Sequence, residues 1–352
     1  MKEKRIIFDC ERMKYPHTGL YHFCLQLGKA LKEQSQLSNS AISFYIPGTE
    51  KRNFGQNAQV IVQKSIHKIC LPPISNHDIW HSTYQGTNYF PFSRKIKKII
   101  TVHDLNFLYD DEKAEFKKKR ELKKLQDKIN ASDALVAISH YVLSDLQRHL
   151  DIRNIPSQVI YNGCNFNTNN KEAPPANLPG KPFLYTIGTI TEKKNFHVLP
   201  ALLQNFKGVL IISGITQSSI YKERIIEEAK KFDVEDRIVF TGAVSEGEKQ
   251  WFMKHCEAFV FPSLAEGFGL PVVEAMYIGA PVILSNATSL PEIGGADAFY
   301  FDSFRPEEMG AVLEKCLNVK DKNSLSKKLQ ERAAQFNWNE SAKRYLELYS
   351  TI

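Results

Sequence analysis

Thirteen short apolar runs, each set off by turn residues or by a stretch of helical periodicity, restrict this chain to very few folds. In the first half, Arg5–Asp9, Ile42–Ile46, Val60–Val62, Ile79–His81, Ile99–His103, Leu135–Ile138 and Val159–Tyr161 read as strands, with helices expected over Leu20–Lys32 and His140–His149. A second series follows at Phe183–Ile187, Val209–Ile212, Ile238–Thr241, Ala258–Phe261, Val282–Leu284 and Phe299–Phe301. Helices fit among these at Phe196–Phe206, Tyr221–Phe232, Glu246–His255 and Pro271–Tyr277. Strands that alternate with helices predict α/β architecture with mostly parallel, doubly wound sheets. Between the two series, Asn165–Lys181 turns polar and Pro-rich, and no core can be made from it. Two domains are therefore expected, at 1–168 and 182–335, joined by a linker at 169–181. Ligands of such sheets bind outside the carboxyl ends of the strands, so the loops that follow strands are where chemistry belongs.

A chain of 352 residues is long enough for two sizeable cores. No apolar run approaches the roughly 18 residues a membrane span needs, and the N-terminal segment is too briefly apolar for a signal peptide. Six cysteines are scattered with no C-x-x-C pair, which predicts reduced thiols in a cytoplasmic protein and no zinc site. The net charge of +7 has a local source in Lys117, Lys118, Lys119, Arg120, Lys123 and Lys124. These lie on a helix expected from about Asp111 to Asn130, whose apolar stripe is Leu122, Leu125 and Ile129. Such a patch fits a solvated face, or contact with an anionic surface such as a membrane leaflet or lipid-linked phosphates. Nucleic acid fits less well, because the patch lacks interleaved aromatics.

Two glutamates eight residues apart, Glu266 and Glu274, bracket a glycine-rich strand-to-helix loop. The run Ala258–Phe261 precedes them, while Pro271 suits the first helical turn and Gly279 the stop. A loop of this kind offers backbone N–H groups and a positive dipole end, which suits phosphate. Carboxylates beside it can accept hydrogen bonds from sugar hydroxyls; the same pair also fits a solvated loop and a surface helix. Gly188-Thr-Ile-Thr-Glu-Lys-Lys-Asn195 likewise follows a strand and opens a helix, so Lys193 and Lys194 suit a diphosphate clamp or plain loop positions. His103, with Asp104 after it, ends another strand, as a loop residue or one polarising a substrate. Gly19 closes the first strand-to-helix loop, where glycine permits close backbone approach to a ligand.

Other constellations fail. There is no G-x-G-x-x-G, no P-loop, no G-x-S-x-G elbow, no H-E-x-x-H and no D-x-D. No metal site and no metal cofactor are expected.

In order along the chain stand Thr18-Gly-Leu-Tyr21, Asp78-Ile-Trp-His81, Thr101-Val-His-Asp-Leu105, Ala137-Ile-Ser139, Tyr161-Asn-Gly163, the Gly188–Asn195 stretch and Phe261-Pro-Ser-Leu-Ala-Glu-Gly-Phe-Gly-Leu-Pro-Val-Val-Glu274. Phe336-Asn-Trp-Asn-Glu-Ser-Ala342 closes the series. Together these resemble the retaining glycosyltransferases of family 4 over nearly the whole chain. The resemblance implies the GT-B fold, two Rossmann-like domains facing an interdomain cleft, with a helix at 336–352 crossing back to the first domain. It implies that Glu266 touches the donor sugar, Glu274 the ribose, Lys194 the diphosphate and His103 the transferred sugar. Gly19 and Gly188 would line the phosphates, and Gly267, Phe268, Gly269 and Leu270 would supply the donor loop. One position departs from the family pattern: many members carry Arg after the glycine at 188, where this chain has Thr189, which leaves Lys193 to compensate.

The expected activity is metal-independent, retaining transfer of a hexose from a nucleotide sugar to a saccharide or lipid-linked acceptor in cell-surface polysaccharide or glycolipid assembly. The variants Gly-Thr-Ile…Lys-Lys-Asn and His-Asp-Leu are most similar to those of bacterial mannosyltransferases, so GDP-mannose is the first donor expected, before UDP-glucose or UDP-N-acetylglucosamine. A GT-B sugar-nucleotide epimerase or a non-catalytic nucleotide-sugar-binding protein are the alternatives. The expected location is the cytoplasm, peripheral at the inner face of the membrane where the basic helix engages lipid.

Overall fold

The computed structural model describes residues 3–352 except 17, 37–39, 93–94, 111–112, 165, 167–171 and 177–179. It divides into two units, Met1–Asn165 with Phe336–Ile352, and Phe166–Gln335. Asn165 and part of the expected linker, 169–171 and 177–179, lie outside the described residues, as does Asp111 at the expected start of the basic helix.

In the first unit the chain runs β1 (Lys4–Asp9), α1 (Gly19–Ser35), β2 (Ser40–Ile46), β3 (Gln59–Val62), β4 (Ile79–Ser82), β5 (Lys97–Val102), α2 (Glu115–Asn130), β6 (Ala134–Ala137), α3 (His140–His149) and β7 (Ser157–Val159). The seven strands lie in the order β3-β2-β1-β4-β5-β6-β7, and every pairing is parallel. Residues such as Ile6, Ile7, Phe8, Trp80 and Ile99 are fully buried, because helices cover both faces of such a sheet. Local signals place the helices: the Thr18 hydroxyl caps α1 by accepting from Tyr21 N at 3.2 Å, and the Ser139 hydroxyl caps α3 through Val142 N at 3.1 Å. The last strand ends at Val159, so Ile160 and Tyr161 leave the sheet earlier than their hydrophobicity predicts.

The second unit runs β8 (Phe183–Ile187), β9 (Val209–Ser213), α4 (Ser219–Lys231), β10 (Ile238–Gly242), α5 (Glu246–His255), β11 (Ala258–Phe261), α6 (Leu270–Ile278), β12 (Val282–Ser285), α7 (Leu290–Gly294), β13 (Phe299–Phe301), α8 (Pro306–Leu317) and α9 (Lys322–Ala334). Its sheet has the order β10-β9-β8-β11-β12-β13, again all parallel. The helix expected over Phe196–Phe206 is a 3-10 helix over Phe196–Gln204. Asn195 enters it with φ 56°, and Pro200 inside it has no N–H for an α-helical bond. Both sheets share the doubly wound order in which strand sequence reverses at the centre, between β1 and β4 and between β8 and β11. The α/β class with two Rossmann-like sheets is thus the architecture of the chain.

The final helix, α10 (Trp338–Thr351), belongs to the first unit. It docks through a buried polar chain rather than apolar contact alone. His81 Nδ1 lies 2.7 Å from the Tyr349 hydroxyl and His81 Nε2 lies 2.8 Å from Thr101 Oγ1, which in turn meets the Tyr345 hydroxyl at 2.9 Å. Burial, with His103 nearby, drives the His81 imidazole down to about 3, so it is neutral and able to serve both neighbours. Among the described residues no helix is long and apolar enough to cross a membrane.

Candidate active site

The second sheet's switch point sets two loops side by side, Gly188–Asn195 after β8 and Pro262–Gly269 after β11. The loops are laced together, since Leu264 N donates to Lys193 O at 2.9 Å and Ser263 Oγ lies 3.2 Å from the same carbonyl. That lacing brings Lys194 Nζ within 2.6 Å of Glu266 Oε1, while Ser263 Oγ donates to that oxygen at 2.7 Å. The ammonium also lies 4.8 Å from the centre of the Phe261 ring, and the two charged side chains are only 14% and 13% exposed. Burial alone would raise the Glu266 carboxyl, but the charges of Lys194 and Lys193 and the hydrogen bonds from Lys194 and Ser263 outweigh it and hold it low. Burial lowers the Lys194 ammonium, against the attraction of Glu266 that favours its charged form. Glu266 is fixed through its backbone as well, its N–H donating to Thr288 Oγ1 at 3.0 Å and its carbonyl accepting from Ser289 Oγ at 2.9 Å.

Glycine is required where these loops crowd. A Cβ on Gly214 would sit 2.0 Å from the Gly188 carbonyl oxygen, and one on Gly188 would meet Lys194 Cε at 3.1 Å. Gly269 has φ +96° and begins α6, with Pro271 in the first turn and Gly279 closing the helix at φ +83°. Gly267 and Phe268 are buried in the same turn, whereas Leu270 is half-buried. Thr189 and Lys193 are exposed, in contrast to Lys194, so the position after Gly188 presents a hydroxyl and not a guanidinium.

Glu274 lies one turn into α6 and is buried. Its Oε2 is 3.0 Å from Lys249 Nζ, which also sits 2.9 Å from Glu246 Oε2 and 4.8 Å from the centre of the Phe166 ring. Burial opposes the Lys249 charge, yet the two carboxylates prevail and raise its pKa. Lys249 is not among the residues expected from sequence. Its signal was Glu246 and Lys249 at i,i+3, at the start of the helix that follows β10, with Ser245 and Glu248 forming a capping box.

Gly19 and His103 belong to the first unit. His103 follows β5 and is buried at 8% exposure, and its ring stands edge-on to Phe23 of α1 with centroids 4.6 Å apart. Gly19 is the first residue of that same helix, so α1 ties the two together. His103 Nε2 lies 2.8 Å from the Thr83 carbonyl, which can only accept, so this nitrogen carries the proton and Nδ1 is an acceptor. Burial pushes the imidazole down to about 4, against the Thr83 bond that favours its charged form. The same edge of the sheet holds further residues that sequence alone does not single out. Asp9 and Glu11 share the Thr87 hydroxyl at 3.4 and 3.0 Å, and Arg12 lies 4.6 Å from the ring centres of both Tyr15 and Tyr84.

Two doubly wound units of this order, one with a lysine–glutamate pair at its switch point, make up a glycosyltransferase fold of the GT-B type. The chain belongs to the family 4 glycosyltransferases: the model described as Glycosyltransferase Family 4 matches residues 23–167 and that described as Glycosyl transferases group 1 matches residues 168–336. Among relatives, the serotype-specific mannosyltransferase WbdA of Escherichia coli is 31% identical over 169 residues, covering 46% of this chain and 20% of that protein. The matched stretch spans about a fifth of the length of WbdA. The O-antigen chain mannosyltransferase B of Escherichia coli is 24% identical and covers 99% of this chain and 100% of that protein. Among solved structures, a sucrose-phosphate synthase from Thermosynechococcus elongatus superposes with a TM-score of 0.77 at 18% identity, covering 99% of this chain and 98% of the other. HepE of Anabaena, solved with UDP and glucose, gives 0.75 at 18% identity with 99% of each chain covered.

Proposed function

We propose that the chain is a retaining hexosyltransferase that moves mannose from GDP-mannose to a saccharide or lipid-linked saccharide acceptor in cell-surface polysaccharide assembly. The observation that carries this reading is the Lys194–Glu266 pair between the two strand-end loops of the second unit. Lys194 offsets the charge that grows on the departing diphosphate, and Glu266 accepts from donor-sugar hydroxyls. Glu274, held by Lys249, accepts from the ribose. In the transfer the bond from the sugar's C1 to the diphosphate oxygen breaks and a bond to the acceptor oxygen forms on the same face. The acceptor proton passes to the departing diphosphate, so no protein nucleophile and no metal take part. His103, neutral at ordinary pH, accepts through Nδ1 from a hydroxyl of the transferred sugar.

The relatives named above are mannosyltransferases, which favours mannose; the HepE complex with UDP-glucose favours UDP-glucose as the second reading. The exposed cations of α2, Lys117, Lys119, Arg120, Lys123 and Lys124, favour an acceptor presented at an anionic membrane surface on the cytoplasmic side.

The test is a thermal-shift panel of nucleotide sugars followed by turnover. A ligand at 100 times its Kd stabilises by about 2.7 kcal/mol. GDP-mannose is expected to shift the transition most, with nucleoside diphosphate released faster once acceptor is added. Stabilisation by no nucleotide sugar overturns the reading, and release that ignores the acceptor turns it toward an epimerase or binder.

A further inference from the structure

Lys128 sits on the basic helix α2 but points the other way from its neighbours. Its side chain is buried at 8% exposure, between the buried Leu125 and Ile129 that make up the rest of that face. Among the described residues it forms no ion pair; Glu11 and Asp9 act on it only at longer range. Instead its ammonium donates to two carbonyls of the loop after β4, Gln85 O at 2.7 Å and Thr87 O at 2.6 Å. Burying a charge on neutral acceptors alone is costly, and an apolar residue would complete the face of α2 more cheaply. Burial brings the group down to about 8, partly offset by Glu11. What the lysine holds accounts for its presence.

The two carbonyls flank Gly86 in a turn that is closed by Thr87 N donating to Tyr84 O at 3.1 Å. From that turn the Gln85 side chain grips the end of β5. Its Oε1 accepts from His103 N at 3.1 Å and its Nε2 donates to Asp104 O at 2.9 Å, so one amide spans the peptide after the histidine. Two residues before Gln85, the Thr83 carbonyl fixes the proton on His103 Nε2. Each of these hydrogen bonds around His103 starts from the loop that Lys128 pins.

We infer that Lys128 is a positioning residue for His103, acting from α2 through the Thr83–Thr87 loop to set the backbone and the tautomer of the imidazole. This rests on the reading in which His103 faces the transferred sugar. A displacement of about 1 Å at a reacting group costs about 10²-fold in rate, so losing the pin reaches turnover although Lys128 touches no substrate.

Three variants, Lys128→Met, Lys128→Arg and Gln85→Met, test this by two independent readouts. The first is nitrogen-15 NMR of the histidine rings without substrate, the His103 signals being assigned by their loss in His103→Gln. The wild type is expected to hold its proton on Nε2; Lys128→Met and Gln85→Met are expected to share it between both ring nitrogens, and Lys128→Arg to restore the wild-type state. The second is release of GDP from GDP-mannose, where Lys128→Met is expected to lose about 10²-fold in kcat with KM changed less than about twofold. Should Lys128→Met not fold, Gln85→Met decides, because it cuts the grip on His103 and leaves the ammonium in place. Unchanged His103 signals in Gln85→Met and in any folded Lys128→Met overturn the proposal. A wild type that shows the Nε2 proton but turns over no nucleotide sugar defeats the transferase reading instead, and the ring signals still decide the link.

Discussion

Lys194 Nζ and Glu266 Oε1 stand 2.6 Å apart in a setting that leaves each largely out of water. Removing either alone leaves the other a mostly buried charge without its ion-pair partner. Lys194→Met should therefore destabilise the protein by a few kcal/mol, read from the urea midpoint, and also lower kcat, because leaving-group charge grows in the transition state. The double variant Lys194→Met with Glu266→Gln should recover most of the stability and none of the turnover. Were Lys194→Met to change only KM for the donor, the role given to the lysine would be wrong.

Glu274→Gln should act differently. Ribose contacts persist from ground state to transition state, so the expected loss is in donor KM, by about tenfold or more, with kcat nearly kept. Lys249 retains Glu246 as a partner, and the fold should survive. Titration with GDP by calorimetry checks the binding term directly, and unaltered GDP affinity counts against a ribose contact.

Two buried histidines set an acid limit on stability. His103 and His81 fold with imidazoles at about 4 and about 3, below the value of about 6.5 they regain on unfolding. Their contribution is complete above 6.5 and is lost as the pH falls, because the unfolded chain takes up protons first. The melting temperature should drop steadily from pH 6.5 toward 4, and His103→Gln should flatten that slope. Asp9 and Glu11, whose carboxyls burial raises, act in the opposite sense over the same range, so the deciding measurement is the difference in slope between the wild type and His103→Gln, and equal slopes would contradict the buried, neutral state of His103.

Metal removal should be without effect. In the proposed reading lysines 193 and 194 meet the diphosphate charge, so turnover with EDTA present is expected to equal turnover without it. Loss under EDTA that Mg²⁺ or Mn²⁺ restores would show that a cation carries part of that charge.

The exposed face of α2 makes a separate prediction. Its cations should draw the protein to anionic vesicles at low salt, by about 1 kcal/mol per charge near the surface, and release it as salt rises. Co-sedimentation with anionic and neutral vesicles measures this, and equal recovery with both at low salt leaves the helix a solvated face.

The sheets were legible because a strand buried on both faces is apolar throughout, and runs such as Ala258–Phe261 and Phe183–Ile187 admit little else. Helices α8 and α9 were not, since α9 in particular buries only Leu329 and Ala333 and reads as polar chain. Lys194 and Glu266 could be picked out because each follows a strand in the stretch where such sheets bind ligands. Lys249 carried only the weak i,i+3 pattern with Glu246, and Lys128 carried no signal of its own. Lys249 is defined by α5 and α6 lying side by side. Lys128 is, in sequence, one more lysine on a basic helix, and only the loop after β4 folded beneath it sets it apart.

The chain threads the two units in an order that matters during synthesis. Phe166–Gln335 is made in one piece and holds its whole core, whereas the first unit waits for α10 to bring Tyr345 and Tyr349 to Thr101 and His81. Until those last residues leave the ribosome, a neutral buried histidine and the apolar face of α1 lack their cover. The half made first is therefore the half completed last, and a ribosome stalled at Gln335 would carry a finished second unit attached to an unfinished first one.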